Sequence, residues 1–495
     1  MRRKINMAPF RLSKSKLLSG LQCPKRLYLE VHKSATPVYS KSAERLFSAG
    51  NLVGDIARRA HPKGKLIGHT DDLKAALAQT AEELKGKGSM TLFEAAFRHG
   101  GALARADIFS RKGTRHHVVE VKSSAEIKDY HLNDAAIQCW VIGGAGISLD
   151  SVSIAHIDSS FVYKGNGDYR GLLKRVDVTE EIEECVAQVP EWIRQFRQIL
   201  VGKTPKIETG RQCSKPFDCP FIAHCSRGEP EYPVDLLPLS GNVVATLRAA
   251  GYRDLRKVPG SMIEGSKHKL IWRVTKSGKA EIDPRVRKLM RALPYPRFYL
   301  DFETIQFAVP VWAGTQPYKQ LPFQWSCHIE RDGGELTHRE FIDVSGEPPM
   351  RAFAESLIKN LGARGPIIVY SHFERTVIKF LVSRFPDLDR PLTKLIGRLK
   401  DLHNITENSY YHRDMKGSWS LKAVLPTVAP DLAYASVGEV QDGGDAQSAF
   451  IEIIDPATSG ERKQKLTRDL KEYCKLDTLA MVRLARFLAG TSVNK

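Results

Sequence analysis

Three cysteines fall within 13 residues, as Cys213-x5-Cys219-x5-Cys225, and a fourth, Cys23, stands 213 − 23 = 190 residues upstream. If the four thiolates share one centre, they tie the N-terminal helical segment to a stretch on the far side of a whole domain. Pro216 and Pro220 bend the second segment so that its three thiolates can converge. Four soft thiolates suit Zn²⁺ or an iron–sulfur cluster. The x5 spacings are wider than the loops of roughly two to four residues usual in zinc ribbons, and His224 beside Cys225 complicates a zinc assignment. Eight cysteines in 495 residues are too sparse for a disulfide scaffold, and clustered cysteines in a reducing compartment more often bind metal. The remaining four, Cys139, Cys185, Cys327 and Cys474, are isolated and read as small core hydrophobes.

A single core rarely grows past ~250–300 residues, so two or three domains are expected. Residues 1–228 open with a helical pattern from Leu12 to Glu30. They continue through helices near 42–60 and 71–86 into a β-hairpin at 102–123, and close on the cysteine segment. Residues 229–290, broken by Pro230, Pro233 and Pro238, read as a helical connector with short helices at Ala245–Gly251 and Leu255–Pro259. Residues 291–495 begin with a strand at 297–303, alternate strand and helix signals, and end in an amphipathic helix from Thr467 to Leu488. Gln441–Asp445 is a loop by composition. Lys and Arg exceed Asp and Glu by 75 − 56 = 19, which favours a polyanionic partner through counterion release. No run of 18 apolar residues appears, and no apolar h-region follows the basic start, so a cytoplasmic protein without a membrane span is expected.

In the hairpin, Glu120 and Lys122 share one strand face, and Asp107 on the partner strand can meet them. Two carboxylates and an ammonium suit Mg²⁺ or Mn²⁺, with the lysine orienting or helping to deprotonate the attacking water. The run Ala106-Asp107-Ile108 followed by Val118-Val119-Glu120-Val121-Lys122 resembles the core motif of PD-(D/E)-x-K nucleases. Gln138 stands where RecB-like members of that superfamily carry a glutamine, with Ile142 in place of their following tyrosine. Gly50–Gly54, which matches the stretch that holds a histidine ligand in many of them, has none, and Glu94 is a further candidate ligand. The one-plus-three cysteine arrangement resembles the iron–sulfur RecB-like nucleases, among them the AddB subunit and CRISPR-associated adaptation nucleases. That resemblance implies a 4Fe-4S cluster on Cys23, Cys213, Cys219 and Cys225.

In the third segment Asp301 and Glu303 lie at i, i+2 on one strand, a common anchor for two metal ions at a phosphodiester. Tyr473 and Asp477 lie at i, i+4 on one helix face, the tyrosine to position water and the aspartate to bind metal. These residues resemble the DEDD exonucleases of DnaQ type, whose fold is RNase H-like and whose third motif is Y-x3-D. Their second motif, N-x3-D, is matched by Ser371-His372-Phe373-Glu374, with Ser for Asn and Glu for Asp. Asp401 is the other candidate for the fourth carboxylate. Over the whole chain, including Gly417-Ser418-Trp419-Ser420-Leu421-Lys422, the pattern is similar to a bacterial family that fuses an iron–sulfur RecB-like nuclease to a DnaQ-like exonuclease. The fold expected is therefore α/β: a PD-(D/E)-x-K restriction-endonuclease-like domain, a helical connector and an RNase H-like domain. The activity implied is metal-dependent hydrolysis of DNA, at single strands or ends, with Mg²⁺ or Mn²⁺ at both sites. The alternatives are one live site beside a catalytically dead nucleic-acid-binding domain, and an RNA-directed exonuclease. A helicase or defence-system partner is left open.

Overall fold

The computed structural model describes residues 12–39, 41–68, 72–238, 241–432 and 438–491. The chain divides into two units, residues 1–227 with 307–318, and 228–306 with 319–495.

The hairpin that the sequence marks is the middle of the first unit's sheet. β1 (Leu12–Ser13), β2 (Lys65–Leu66), β3 (Met90–His99), β4 (Ala102–Lys112), β5 (Arg115–Lys122), β6 (Ser151–Ile157) and β7 (Leu173–Asp177) form it. The order is β2-β3-β4-β5-β6-β7, with β1 parallel to β4 at its edge. The turn between β4 and β5 is only Gly113-Thr114, with Gly113 in the left-handed conformation at φ 62°. Around the sheet lie α1 (Lys14–Gln22), α2 (Pro24–His32), α3 (Lys41–Arg59), α4 (Leu73–Lys85), α5 (Asp129–Gly144), α6 (Glu183–Val201) and the single turn α7 (Ile222–Cys225). The helix expected from Leu12 to Glu30 is two helices. Cys23 is extended at φ −162°, ψ 115°, and Pro24 restarts the helix at its first position, where a missing N–H costs nothing. The apolar faces of α1, α5 and α6 meet those of β3 and β4 around Leu17, Phe97, Phe109, Ile137 and Phe196.

In the second unit β9 (Arg297–Ile305) is central. The order is β11-β10-β9-β12-β13, with β10 (Leu321–Glu330) and β11 (Leu336–Ile342) antiparallel, and β12 (Ile367–Val369) and β13 (Leu399–Asp401) parallel. A small pair, β8 (Glu281–Ile282) with β14 (Tyr410–Tyr411), stands apart. The helices are α8 (Gly241–Ala249), α9 (Ser266–Ser277), α10 (Arg285–Arg291), α11 (Met350–Asn360), α12 (Phe373–Arg384), α13 (Asp389–Arg398), α14 (Leu402–Glu407), α15 (Leu421–Val428), α16 (Gly443–Ile454) and α17 (Gly460–Ala489). The residues read as a connector pack into this unit's core: Leu247, Leu255, Ile271 and Met290 share it with Trp419, Val424 and Leu484. Several boundaries differ from expectation: the C-terminal helix begins at Gly460 and not Thr467, and the helix expected at Ala245–Gly251 is Gly241–Ala249. Leu255–Lys257 is a single 3₁₀ turn. Gly443-Gly444-Asp445, read as loop, is the first turn of α16, because Asp442 accepts the amide of Asp445 and caps the helix. Among the described residues no helix is long and apolar enough to cross a membrane.

Candidate functional site

β9 is an almost wholly buried strand that nonetheless carries two carboxylates. Asp301 and Glu303 point from it toward α17, which brings Tyr473, Cys474 and Asp477, all buried. One ligand atom from each of Asp301, Glu303 and Cys474 lies within 4.8 Å of the other two. Glu374, in the first turn of α12 just past the end of β12, is 2% exposed, and its Oε2 has no hydrogen-bond partner. Burial, and then the neighbouring negative charges, hold three of these carboxyls well above the usual carboxylate range. For Asp301 the neighbour is Asp477; for Glu303, Asp301 and Asp477; for Glu374, Asp301. Lys422 is the opposing cation: it acts on Glu303, and its Nζ lies 5.2 Å from the centre of the Tyr473 ring. Acidic groups packed this closely in a dry core ask for a cation, and their oxygens suit Mg²⁺ or Mn²⁺.

Cys474 is buried in the core as expected, and it also touches the acidic cluster. Its Sγ donates to Asp301 Oδ2 at 3.5 Å, and burial followed by the charges of Asp301, Glu303 and Asp477 pushes it well above the usual thiol range. Asp401 is occupied elsewhere, since its carboxylate accepts the Asn404 amide at 3.0 Å and caps α14. It adds only a weak negative field at Glu374.

In the first unit Asp107, Glu120 and Lys122 come together as the strand faces require. Asp107 Oδ2 accepts the Val121 amide at 2.7 Å. Lys122 Nζ lies 2.6 Å from Glu120 Oε1 and pairs also with Asp134 on α5. Gln138, one turn on, donates to Glu120 Oε2. A second ammonium enters from α1: Lys14 Nζ lies 2.9 Å from Glu120 Oε1 and 2.9 Å from Asp134 Oδ1. Burial opposes the charge on both lysines, but Glu120 and Asp134 outweigh it and raise both above the usual lysine range. Burial and Asp107 push Glu120 upward, but Lys122 and Lys14 prevail and leave it below the usual range. Held among these carboxylates, Lys122 is placed to orient water or meet developing negative charge. Glu94 stands across from Asp107 on β3 in the left-handed region, φ 57°; burial raises the Asp107 carboxyl against Lys14, Lys122 and the Val121 amide, and Glu94 adds a smaller upward push. Such strain at a non-glycine strand residue is a mark of functional sites. His131 of α5, pushed down to about 4 by burial and Lys122, stays neutral beside the site.

Cys23, Cys213, Cys219 and Cys225 line one pocket with Arg26, Leu29 and Phe221, and none of the four is in a disulfide. Gln22 fastens the two segments, donating to the carbonyls of Gln212 at 2.8 Å and Phe217 at 2.7 Å. The Cys219 amide closes on the Cys213 carbonyl at 2.8 Å. Among the described residues no three of these sulfurs lie within 4.8 Å of one another.

Residues 298–420 match a family described as a domain of unknown function, DUF2779. The match includes Asp301, Glu303 and Glu374 and ends before Lys422, Tyr473 and Asp477. An uncharacterized protein of Mycoplasma pneumoniae (strain ATCC 29342 / M129 / Subtype 1), the MG366 homolog, is 22% identical over 231 residues, 43% of this chain. The match takes in 35% of that relative's length.

Sequence reasoning did not find Lys14, Asp134 and Lys422. Lys14 lies 120 − 14 = 106 residues from Glu120, and no pattern links them. Asp134 had a signal: it precedes Gln138 by four residues and so shares its helix face. Lys422 lies within the Gly417–Lys422 motif that carried a resemblance but no role.

Proposed function

We propose that the chain is a metal-dependent nuclease with two separate sites, acting on DNA at single strands or ends. The observation that carries the reading is the carboxylate cluster of the second unit. Asp301 and Glu303 lie together with Cys474, and the buried carboxyls of Asp477 and Glu374 are close enough to act on them electrostatically, with Lys422 acting on Glu303. No fold keeps such a group for stability, because burying like charges is costly. A central first strand bearing D-x-E, and a Y-x3-D helix packed on it, support a DnaQ-like exonuclease on an RNase H-like fold. The first unit supports a PD-(D/E)-x-K nuclease, with Asp107 and Glu120 as metal ligands, Lys122 to orient water and Gln138 holding Glu120. The four cysteines would hold a 4Fe-4S cluster, whose role here is to pin the two ends of the domain.

A divalent cation, when bound, lowers the pKa of its water and steadies the attacking and leaving oxygens. The chain's own residues do the rest. Tyr473 orients the attacking water, Lys422 faces the anionic phosphate, and burial keeps bulk solvent out. The surplus of 19 basic residues draws the polyanion in. Degradation of end-labelled single- and double-stranded DNA and RNA with Mn²⁺ tests the reading. Hydrolysis lost in an Asp301→Asn, Lys122→Ala double variant is expected. Hydrolysis unchanged in that variant would assign the activity elsewhere. Binding without hydrolysis in the wild type would leave a nucleic-acid-binding module, and degradation of RNA alone an RNA exonuclease.

A further inference from the structure

α1 touches two places at once. At its first residue Lys14 sends its ammonium between Glu120 and Asp134, 2.9 Å from each. At its last residue Gln22 holds the carbonyls of Gln212 and Phe217, and Cys23 follows as its cap. Between them the helix has little room to slide. Leu12 and Ser13 pair with Ala102 and Leu103, and Ser13 caps the helix by accepting the Lys16 amide. Gly20 presses on Phe196 so closely that a Cβ there would lie 2.8 Å from the ring. α1 is therefore a short rigid strut with the carboxylate site at one end and the cysteine pocket at the other.

The charges at the first end call for a role. Asp107, Glu120 and Asp134 carry three negative charges, and Lys14 and Lys122 two positive ones. Lys122 comes from the hairpin itself and keeps its place whatever α1 does. Lys14 does not: its position is that of α1, and α1 is fastened at its other end by the segment that holds three of the four cysteines.

We propose that Lys14 is a positioning residue of the first site, which holds Glu120 and Asp134 in the arrangement that hydrolysis requires, and that α1 makes its place depend on the cysteine pocket. This rests on the reading of the first unit as a metal-dependent nuclease. The cost of the device is weaker metal binding, because an ammonium shares the carboxylates with the cation. Its gain is a fixed Glu120, so that a domain whose cysteine pocket is not assembled does not hydrolyse.

The test uses the full chain carrying Asp301→Asn and Glu303→Gln, so that Mn²⁺ reports on the first site. Free Mn²⁺ is followed by electron paramagnetic resonance, hydrolysis of end-labelled DNA in parallel, and melting by circular dichroism. Lys14→Met should bind Mn²⁺ several-fold more tightly and hydrolyse at least tenfold more slowly, and Lys14→Arg should recover part of both. A mere packing role would lower the melting temperature and leave Mn²⁺ affinity unchanged, which overturns the proposal. Gln22→Ala, which loosens the strut without touching a thiol, should shift Mn²⁺ affinity when Lys14 is present and not in Lys14→Met. Additive shifts overturn the coupling. Absence of any Mn²⁺ binding in the background protein overturns the reading of the site and the inference with it. Binding that is equal with and without Lys14 overturns the inference alone.

Discussion

The Glu374 carboxyl shows how a residue can be wrong for stability and right for chemistry. It is buried, its Oε2 has no partner, and it feels the charge of Asp301. Its pKa, like that of Asp301, is raised above the value in the unfolded chain, so the folded state keeps a proton that the unfolded state releases. The stability tied to that proton is present at acid pH and is lost as pH rises past the ordinary carboxylate range. At neutral pH without metal, these buried carboxyls therefore cost the fold stability, whether they keep the proton or lose it. Glu374→Gln and Asp301→Asn should therefore melt above the wild type at pH 7.5 in chelator, by about 1–3 kcal/mol of stability, and the gain should fade toward pH 4. The same changes should slow the second site by on the order of 10³-fold, since each leaves a cation under-ligated. Melting curves in EDTA and rates in Mn²⁺ check the two halves. Variants less stable than the wild type in EDTA would contradict the electrostatic account. That Glu374 stands in the first turn of a helix just past a strand was legible from Ser371-His372, which follow an apolar run. The role of Cys474 was not, because an isolated cysteine in an amphipathic helix reads like any small apolar residue.

At the scale of elements, α17 and the strut α1 carry most of the design. α17 lies on β9 and β10, and a polar network fixes it there. His328 Nδ1 meets Thr478 Oγ1 at 2.8 Å, and Ser326 Oγ meets Thr478 Oγ1 at 3.0 Å and His338 at 2.8 Å. Burial, then His338 and Lys475, push His328 down to about 3. A histidine neutral in the fold and protonated in the unfolded chain gives stability that is full above pH ~6.5 and falls by about 1.4 kcal/mol per pH unit below it, until the folded value is reached. Acid melting between pH 7 and 5 should therefore be one proton shallower in His328→Gln than in the wild type; equal slopes would remove His328 from the account. For the first unit, anaerobically purified protein should be brown and absorb near ~400 nm, and Cys23→Ser should bleach it and lower the melting temperature. Stoichiometric zinc without iron would contradict the cluster. The long helix and the hairpin could be read from periodicity alone. The break at Cys23 was missed although Pro24 marks it by pushing the residue before it into extended backbone, because both halves of 12–30 share one apolar pattern.

Across the molecule, the sequence is most legible where chemistry sits on one strand or one helix. Asp301 with Glu303, Glu120 with Lys122, and Tyr473 with Asp477 are spaced at the strand or helix period, and the fold brings each pair to one face. It is least legible where distant elements meet. Lys14 reaches Glu120 across 106 residues, and Lys422 reaches Glu303 from a motif read only as a resemblance. The connector at 229–290 looked separate because prolines punctuate it, yet its leucines belong to the second core. The central claim is that two independent sites hydrolyse nucleic acid. The direct measurement is the rate at which end-labelled single-stranded DNA is degraded with Mn²⁺ by four proteins: wild type, Lys122→Ala, Asp301→Asn and the double variant. Each single variant should keep part of the wild-type activity, and the double variant should keep none while remaining folded. A double variant as active as the wild type would contradict both sites at once.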